Sequence, residues 1–224
     1  MKRIPNTISF PVLVIRNCSD VPKGSPSGIY ILTTTEGGRF KIFCDMDAPS
    51  GPWAVIQRRT SRDVDFYRNW ASYKVGFGDL LGNFWIGNDN LHVLTSTPRI
   101  LRVELEGWDG TKGYAEYSTF QVANEDQNYR LSVQGFSGNI SYDALAYHNG
   151  YQFTTYDRDN DIRGENCAEL YRGGWWYKRC YDANLNGLYP IDNGNTELES
   201  MTWWYFPDTN RAVSPLKKSK MMIR

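Results

Sequence analysis

Four cysteines, Cys18, Cys44, Cys167 and Cys180, constrain this 224-residue chain more than any other feature. Their number is even and none stands in a CxxC pair. A zinc site needs tight ligand spacing, and the only histidines, His92 and His148, are not near a cysteine in sequence. Two disulfides fit better. Three connectivities are formally open, and the simplest joins Cys18 to Cys44 and Cys167 to Cys180. Each bridge would contribute on the order of 3 kcal/mol by restricting the unfolded chain. Stable disulfides imply an oxidising compartment, so the chain is expected to be secreted and extracellular. The sequon Asn139-Ile140-Ser141 suits that compartment. Asn17-Cys18-Ser19 also has the pattern, but its central cysteine makes it a poor acceptor.

Charge and hydropathy exclude several classes. The formal net charge is zero, and no basic run is long enough to track a phosphate backbone, so nucleic acid is not expected as a partner. Lys217, Lys218, Lys220 and Arg224 form the one dense cationic stretch and read as a solvated terminus. No apolar run reaches the ~18–20 residues that span a bilayer. The apolar stretch 10–15 is short and contains Pro11, a poor signal-peptide core, so the chain reads as a mature fragment. Aromatic residues make up 15% of it, with 8 Trp and 15 Tyr; such residues fill cores and also line pockets and interfaces.

Residues 1–17 read as a linker or the remnant of a stalk. Apolar and β-branched runs predict strands at 29–32, 40–45, 53–58, 100–106, 113–122 and 129–133. Capping residues and glycine stops predict short helices over 69–77 and 87–95. Alternating strands with short turns and few helices imply an α+β domain built on an antiparallel sheet. Beyond about residue 150 the pattern breaks. Asn, Asp and Gly become dense and aromatic residues sit between them. A long irregular stretch within a compact domain is where function concentrates.

Inside that stretch, residues 157–165 place Asp157, Asp159, Asp161 and Glu165 at alternating positions. Hard cations such as calcium take six to eight oxygens from carboxylates and backbone carbonyls on a loop of this kind. The run misses the helix-loop-helix calcium pattern, with Ile162 in place of glycine and Ala168 in place of the closing glutamate. From spacing alone, a calcium loop and a solvated turn both stay open.

The segment 157–167, then Tyr171-Arg172-Gly173-Gly174-Trp175-Trp176-Tyr177, Cys180 and Asn184-Leu185-Asn186-Gly187, closely resembles the C-terminal lobe of fibrinogen-like domains. That family includes ficolins, tachylectins, and the C-terminal domains of tenascins and angiopoietins. The likeness extends through Trp53-Ala54-Val55-Ile56-Gln57-Arg58-Arg59, Gly82-Asn83-Phe84-Trp85 and Lys220-Met221-Met222-Ile223-Arg224, and covers about 18–224. It implies a fibrinogen C-terminal-like α+β fold with a central antiparallel sheet, short helices and an irregular calcium-binding lobe. The expected parts are 18–55, an N-terminal subdomain; 56–150, the central sheet; and 151–224, the lobe. It also implies the local disulfide pairing, and calcium held by the side chains of Asp159 and Asp161 with carbonyls near Arg163 and Glu165. Asp157 would be structural.

In lectin members an acetyl-binding pocket adjoins that calcium. The resemblance places it here at Tyr171, Arg179, Cys180 and Tyr181, with the Arg179–Cys180 peptide expected cis. Many lectin members have His where this chain has Tyr181. The far wall, expected near Thr196, Glu197 and Ala212, departs from the family; Trp203 and Trp204 are the aromatic candidates to rebuild it, before a short insertion at 207–211. His92 and His148 are expected to be structural or exposed, and Trp175 and Trp176 core. Glu104/Glu106 and Glu165/Glu169 read as surface charges, not a glycosidase pair. The implied function is calcium-dependent, pattern-recognising lectin binding of acetylated glycans on microbial surfaces in innate immunity, not enzyme catalysis. Oligomerisation would be supplied by a region upstream. The alternative is a module that binds a protein or peptide ligand.

Overall fold

Wherever the sequence alternates between apolar and polar, the chain is extended. The computed structural model describes residues 14–35, 37–191, 198–210 and 212–224. In order along the chain come β1 (Gly28–Thr33), β2 (Arg39–Asp45), β3 (Trp53–Arg59), α1 (Trp70–Val75), the short β4 (Phe77–Gly78) and β5 (Phe84–Trp85), and α2 (Asn88–Leu94). Then follow β6 (Arg99–Gly107), β7 (Lys112–Val122), β8 (Leu131–Gly138), the single-turn α3 (Cys167–Leu170), the two-residue β9 (Ala183–Asn184) and β10 (Thr202–Trp203), and β11 (Leu216–Ile223). Both predicted helices form within their expected spans. Asn69, expected as the first helical residue, is instead the cap of α1 and accepts from the Ser72 N–H.

One antiparallel sheet runs β1-β2-β3-β11-β6-β7-β8, with β5 and β4 added beside β3. It crosses the boundary expected at 55/56, since β3 spans it. The last strand corrects a second expectation. Residues 216–223 are not a solvated tail; they lie in the middle of the sheet, with Lys220 opposite Arg58 on β3 and Glu104 on β6. Ser219, Met221, Met222 and Ile223 are buried, and a bulge between Met221 and Met222 turns both methionines inward. The lysines stay on the outer face. Lys218 meets Glu106 at 3.1 Å, and Lys220 meets Glu104 at 2.8 Å and Asp45 at 3.0 Å. A strand with lysines on one face and methionines on the other has the composition of a tail, which is why its sequence misleads.

Disulfides join Cys18 to Cys44 and Cys167 to Cys180. The first fastens the N-terminal turn to β2. The chain is attached even earlier, because the Thr33 N–H donates to the Ile15 carbonyl. Residues 1–13 of the expected linker lie outside the described residues.

Behind the sheet, Tyr73, Trp85, Phe153, Trp175 and Trp176 form a fully buried aromatic cluster with ring centroids 5–6 Å apart. Tyr73 joins α1 to the C-terminal lobe: its hydroxyl donates to the Phe66 carbonyl (2.7 Å) and accepts from the Gly174 N–H (3.1 Å). Position 174 must be glycine for this approach, since a Cβ there would lie 2.4 Å from the tyrosine ring. Tyr73→Phe strands both backbone partners in a dry site and is expected to cost about 1–3 kcal/mol, read as a lower midpoint in urea with an unchanged slope.

Candidate functional site

Between β8 and β11 the chain forms little regular structure, so side chains must satisfy its backbone. Asn166 does so at the turn into α3. Its amide donates to the carbonyls of Thr155 and Tyr156 and its oxygen accepts from the Ala168 and Glu169 N–H groups. Asp157 accepts from the Trp70 N–H at the start of α1 (2.8 Å) and from the Thr155 hydroxyl (2.7 Å). It therefore ties the acidic loop to the helix.

Asp159 and Asp161 are neighbours on this loop. Asp161 Oδ1 accepts from the Arg163 N–H and Oδ2 from the Cys167 N–H, both at 2.8 Å, and Asp159 Oδ1 accepts from the Asp161 N–H. Burial pushes the Asp161 carboxyl up to about 6 and the nearby Asp159 charge adds to that, while the two backbone donors oppose it. Among the described residues neither carboxylate forms an ion pair. Nor does any N–H among them donate to the carbonyls of Arg163 and Glu165. The Glu165 carboxylate instead holds the Arg163 guanidinium at 2.8 Å. Among the described residues no cluster of three or more acidic, histidine or cysteine side chains forms a metal site. Any ion here would rest on two carboxylates, backbone carbonyls and water. The half-buried carboxylate of Asp161 and the exposed one of Asp159, neither with a counter-charge among the described residues and both beside two carbonyls that accept no N–H there, suit a hard cation.

The loop connects directly to the expected pocket. Ile162 N–H donates to the Lys178 carbonyl, and Lys178 N–H to the Cys180 carbonyl. Cys167, which donates to Asp161, is bonded to Cys180. The Arg179–Cys180 peptide is cis. Among the described residues, the N–H groups of Cys180 and Tyr181 meet no acceptor. Tyr171 is half-buried, its ring 4.8 Å from that of Tyr181 and nearly perpendicular to it. Its backbone is held by Asn184, whose amide donates to the Tyr171 carbonyl while its oxygen accepts from the buried Tyr177 hydroxyl. The expected supporting turn at 184–187 is thus locked to the lobe, and also to β3 through Gln57 and Arg59, which donate to the Leu185 and Gly187 carbonyls.

Other expected wall residues fall elsewhere. Tyr181 is buried, with its hydroxyl donating to the Leu198 carbonyl. Trp203 is fully buried, and its indole N–H donates to the Tyr142 carbonyl, so it belongs to the core and not to an open wall. Trp204 is half-buried and its N–H donates to the Asp182 carbonyl. Arg179 is exposed. Ala212 accepts from the Tyr205 N–H, closing the inserted loop. Thr196, Glu197 and Arg211 lie outside the described residues. Three concavities, of about 420, 380 and 240 Å³, open on other parts of the surface, and Tyr171 and Tyr181 line none of them.

His148 was expected to be structural or exposed, and the structure makes it a buried support of this region. Its Nδ1 faces the Trp176 carbonyl at 2.8 Å and must carry the proton; Nε2 accepts from the N–H groups of Asp182 (3.2 Å) and Ala183 (3.0 Å). A lone histidine in an irregular stretch gives no sequence signal for this role. Glu104 and Glu106 pair with Lys220, Arg102 and Lys218 on the sheet face.

Residues 14–224 match the family of fibrinogen beta and gamma chains, C-terminal globular domain, and the chain belongs to this family. It is 44% identical over 202 residues to mouse angiopoietin-related protein 7, covering 88% of this chain and 59% of that protein. It is 41% identical over 213 residues to human ficolin-3, covering 93% and 70%. The fibrinogen-like globe domain of human ANGPTL2 superposes with a TM-score of 0.87 at 36% identity, covering 94% of this chain and 98% of that one. Lamprey fibrin D-dimer, solved with the peptide ligand Gly-His-Arg-Pro-amide, gives 0.83 at 30% identity, covering 94% and 73%. The chain thus spans about three fifths of the length of the angiopoietin-related relative.

Burial holds the His148 pKa down to about 4, against about 6.5 when unfolded, so the unfolded chain takes up the proton first. Stability is expected to fall as pH drops from about 6.5 to 4, by on the order of 3 kcal/mol. The raised carboxyl of Asp161 acts with the opposite sign below about 6 in metal-free protein. Urea titrations at several pH values should therefore compare wild type with His148→Gln, which removes only the histidine's share of the slope.

Proposed function

We propose that this chain is an extracellular, calcium-supported recognition domain whose lobe around Tyr171, Cys180 and Tyr181 binds acetyl-bearing glycans, and that it acts by binding, not catalysis. The observation that carries this reading is the pair of N–H groups at Cys180 and Tyr181, which meet no acceptor among the described residues and belong to a segment whose Tyr181 ring lies 4.8 Å from that of Tyr171. An acetyl group matches both features: its carbonyl accepts from the N–H groups and its methyl packs on the aromatic face. The likeness to ficolin-3 agrees with it. The two disulfides, and the lack among the described residues of a helix long and apolar enough to cross a membrane, fit a secreted domain.

In this reading the side chains of Asp159 and Asp161 hold calcium with the carbonyls of Arg163 and Glu165. The ion neutralises the acidic loop and steadies, through Cys167 and Ile162, the segment that presents the two N–H groups. A single site for so small a group binds weakly, so upstream oligomerisation would supply avidity toward a microbial surface.

A second reading, a peptide or protein ligand, is favoured by the burial of Tyr181. A peptide carbonyl would use the same donors, and the lamprey fibrin structure holds a peptide. Retention on N-acetylated albumin beads separates the readings. Binding in calcium, released by EDTA and by free N-acetylglucosamine and lost in Tyr171→Ala, is the expected result. A folded domain that flows through in calcium would exclude the acetyl ligand and leave the second reading.

Calcium binding is checked independently. At 100-fold excess over Kd it should stabilise the fold by about 2.7 kcal/mol, a rise in melting temperature of roughly 5–10 °C for a chain of this size. Asp159→Asn with Asp161→Asn should abolish that rise; since an asparagine at position 161 can accept only one of the two N–H groups that Asp161 holds, the readout is the difference between calcium and EDTA within each protein.

A further inference from the structure

The outer face of the sheet has its own distinctive rim. There β3, β6, β7 and β11 enclose the 420 Å³ concavity, whose floor carries Arg58, Arg102, Glu104, Glu106, Lys218 and Lys220. Asn139 stands on its edge, one residue past the end of β8, and is exposed. It begins the sequon Asn139-Ile140-Ser141.

The position of this asparagine is set from both sides. Its N–H donates to the Tyr114 carbonyl at 3.1 Å and its Oδ1 accepts from the Tyr114 N–H at 2.7 Å. Ile140 is buried and packs over Gly113, where a Cβ would lie 2.4 Å from its Cγ2 and 2.6 Å from the Phe206 ring. Only glycine leaves room for that isoleucine. With the oxygen engaged and the next side chain buried, Nδ2 makes no hydrogen bond among the described residues. Ser141 is exposed as well. In Asn17-Cys18-Ser19, by contrast, the central residue is bonded to Cys44 and the asparagine oxygen caps the Cys18–Asp20 turn.

We propose that Asn139 carries an N-linked glycan that covers this charged face of the sheet, leaving the C-terminal lobe as the side that meets partners. The inference rests on the secretory reading of the disulfides. In that compartment Nδ2 attacks the anomeric carbon of an oligosaccharide borne on a lipid diphosphate. A C1–Nδ2 bond forms, the C1–O bond to the diphosphate breaks, the lipid diphosphate leaves with the electron pair, and Nδ2 releases one proton. The amide oxygen is untouched, so the folded chain keeps both hydrogen bonds to Tyr114.

The test is secretion of the chain from a eukaryotic cell, followed by peptide N-glycosidase digestion in ¹⁸O water and mass spectrometry. The tryptic peptide 131–158 should appear with residue 139 converted to labelled Asp, assigned by fragment ions so that deamidation at Asn149 is not mistaken for it. Ser141→Ala keeps Asn139 and its bonds to Tyr114 and should abolish the label. Acylation of Lys112, on the same rim, should be several-fold slower in the glycosylated protein than after enzymatic removal of the glycan. Secreted protein with oxidised cysteines and an unmodified Asn139 would overturn the proposal while leaving the secretory reading intact. Equal Lys112 reactivity in the two forms would overturn the placement of the glycan over the sheet.

Discussion

β11 makes the sheet one object. Without it, β1-β2-β3 with β5 and β4 on one side and β6-β7-β8 on the other are two separate pieces, because β3 and β6 meet only through this last strand. Everything between β8 and β11 is therefore a long excursion that must bring the chain back to the centre of a sheet its first half has already outlined. Pairings this distant in sequence form late and at an entropic cost. The apolar residues that offset this cost, Met221, Met222 and Ile223, are packed within the final residues.

The excursion itself lacks the regular ladders that normally satisfy backbone groups, and buried amides and phenols replace them. Asn166, Asn184 and Asn186 each donate to a carbonyl of a neighbouring segment, and Tyr73, Tyr142 and Tyr177 each commit a hydroxyl. A buried polar group adds little when paired but costs 1–3 kcal/mol when stranded. This network accordingly specifies a single arrangement more than it adds net stability. The density of Asn, Gly and Tyr that marks the lobe in sequence is the material for these bonds.

That logic also explains what could be read in advance. Strands β1, β2, β6 and β7 were legible because alternation in a half-buried strand follows directly from the pleat, β3 as an apolar run that is buried almost throughout, and β8 only at its start, since 129–133 was expected and Leu131–Gly138 forms. The helices were legible from the glycines that close the first and the capping residues that open the second. β11 was not, since three lysines hide its buried face, and only the partners Asp45, Glu104 and Glu106 on strands distant in sequence reveal why they are there. The acidic loop and Tyr171 could be found from sequence through resemblance. The burial of Trp203 and the role of His148 could not, because each depends on which backbone groups from 28 to 61 residues away arrive beside it.

Coupling between the acidic loop and the Tyr171 surface follows from the same long-range contacts. Asp161 holds the Cys167 N–H, Cys167 is bonded to Cys180, and Ile162 reaches Lys178 on the other flank. The segment 178–181 is thus gripped on one side by the loop and on the other by His148, which takes the N–H groups of Asp182 and Ala183. The two grips respond to different conditions. The loop's charges repel one another until a cation or a proton intervenes, whereas the histidine holds only while neutral. A domain arranged in this way holds the segment 178–181, whose Cys180 and Tyr181 N–H groups meet no acceptor among the described residues, most firmly when His148 is neutral and the charge of the acidic loop is compensated, and loosens it when either grip is released.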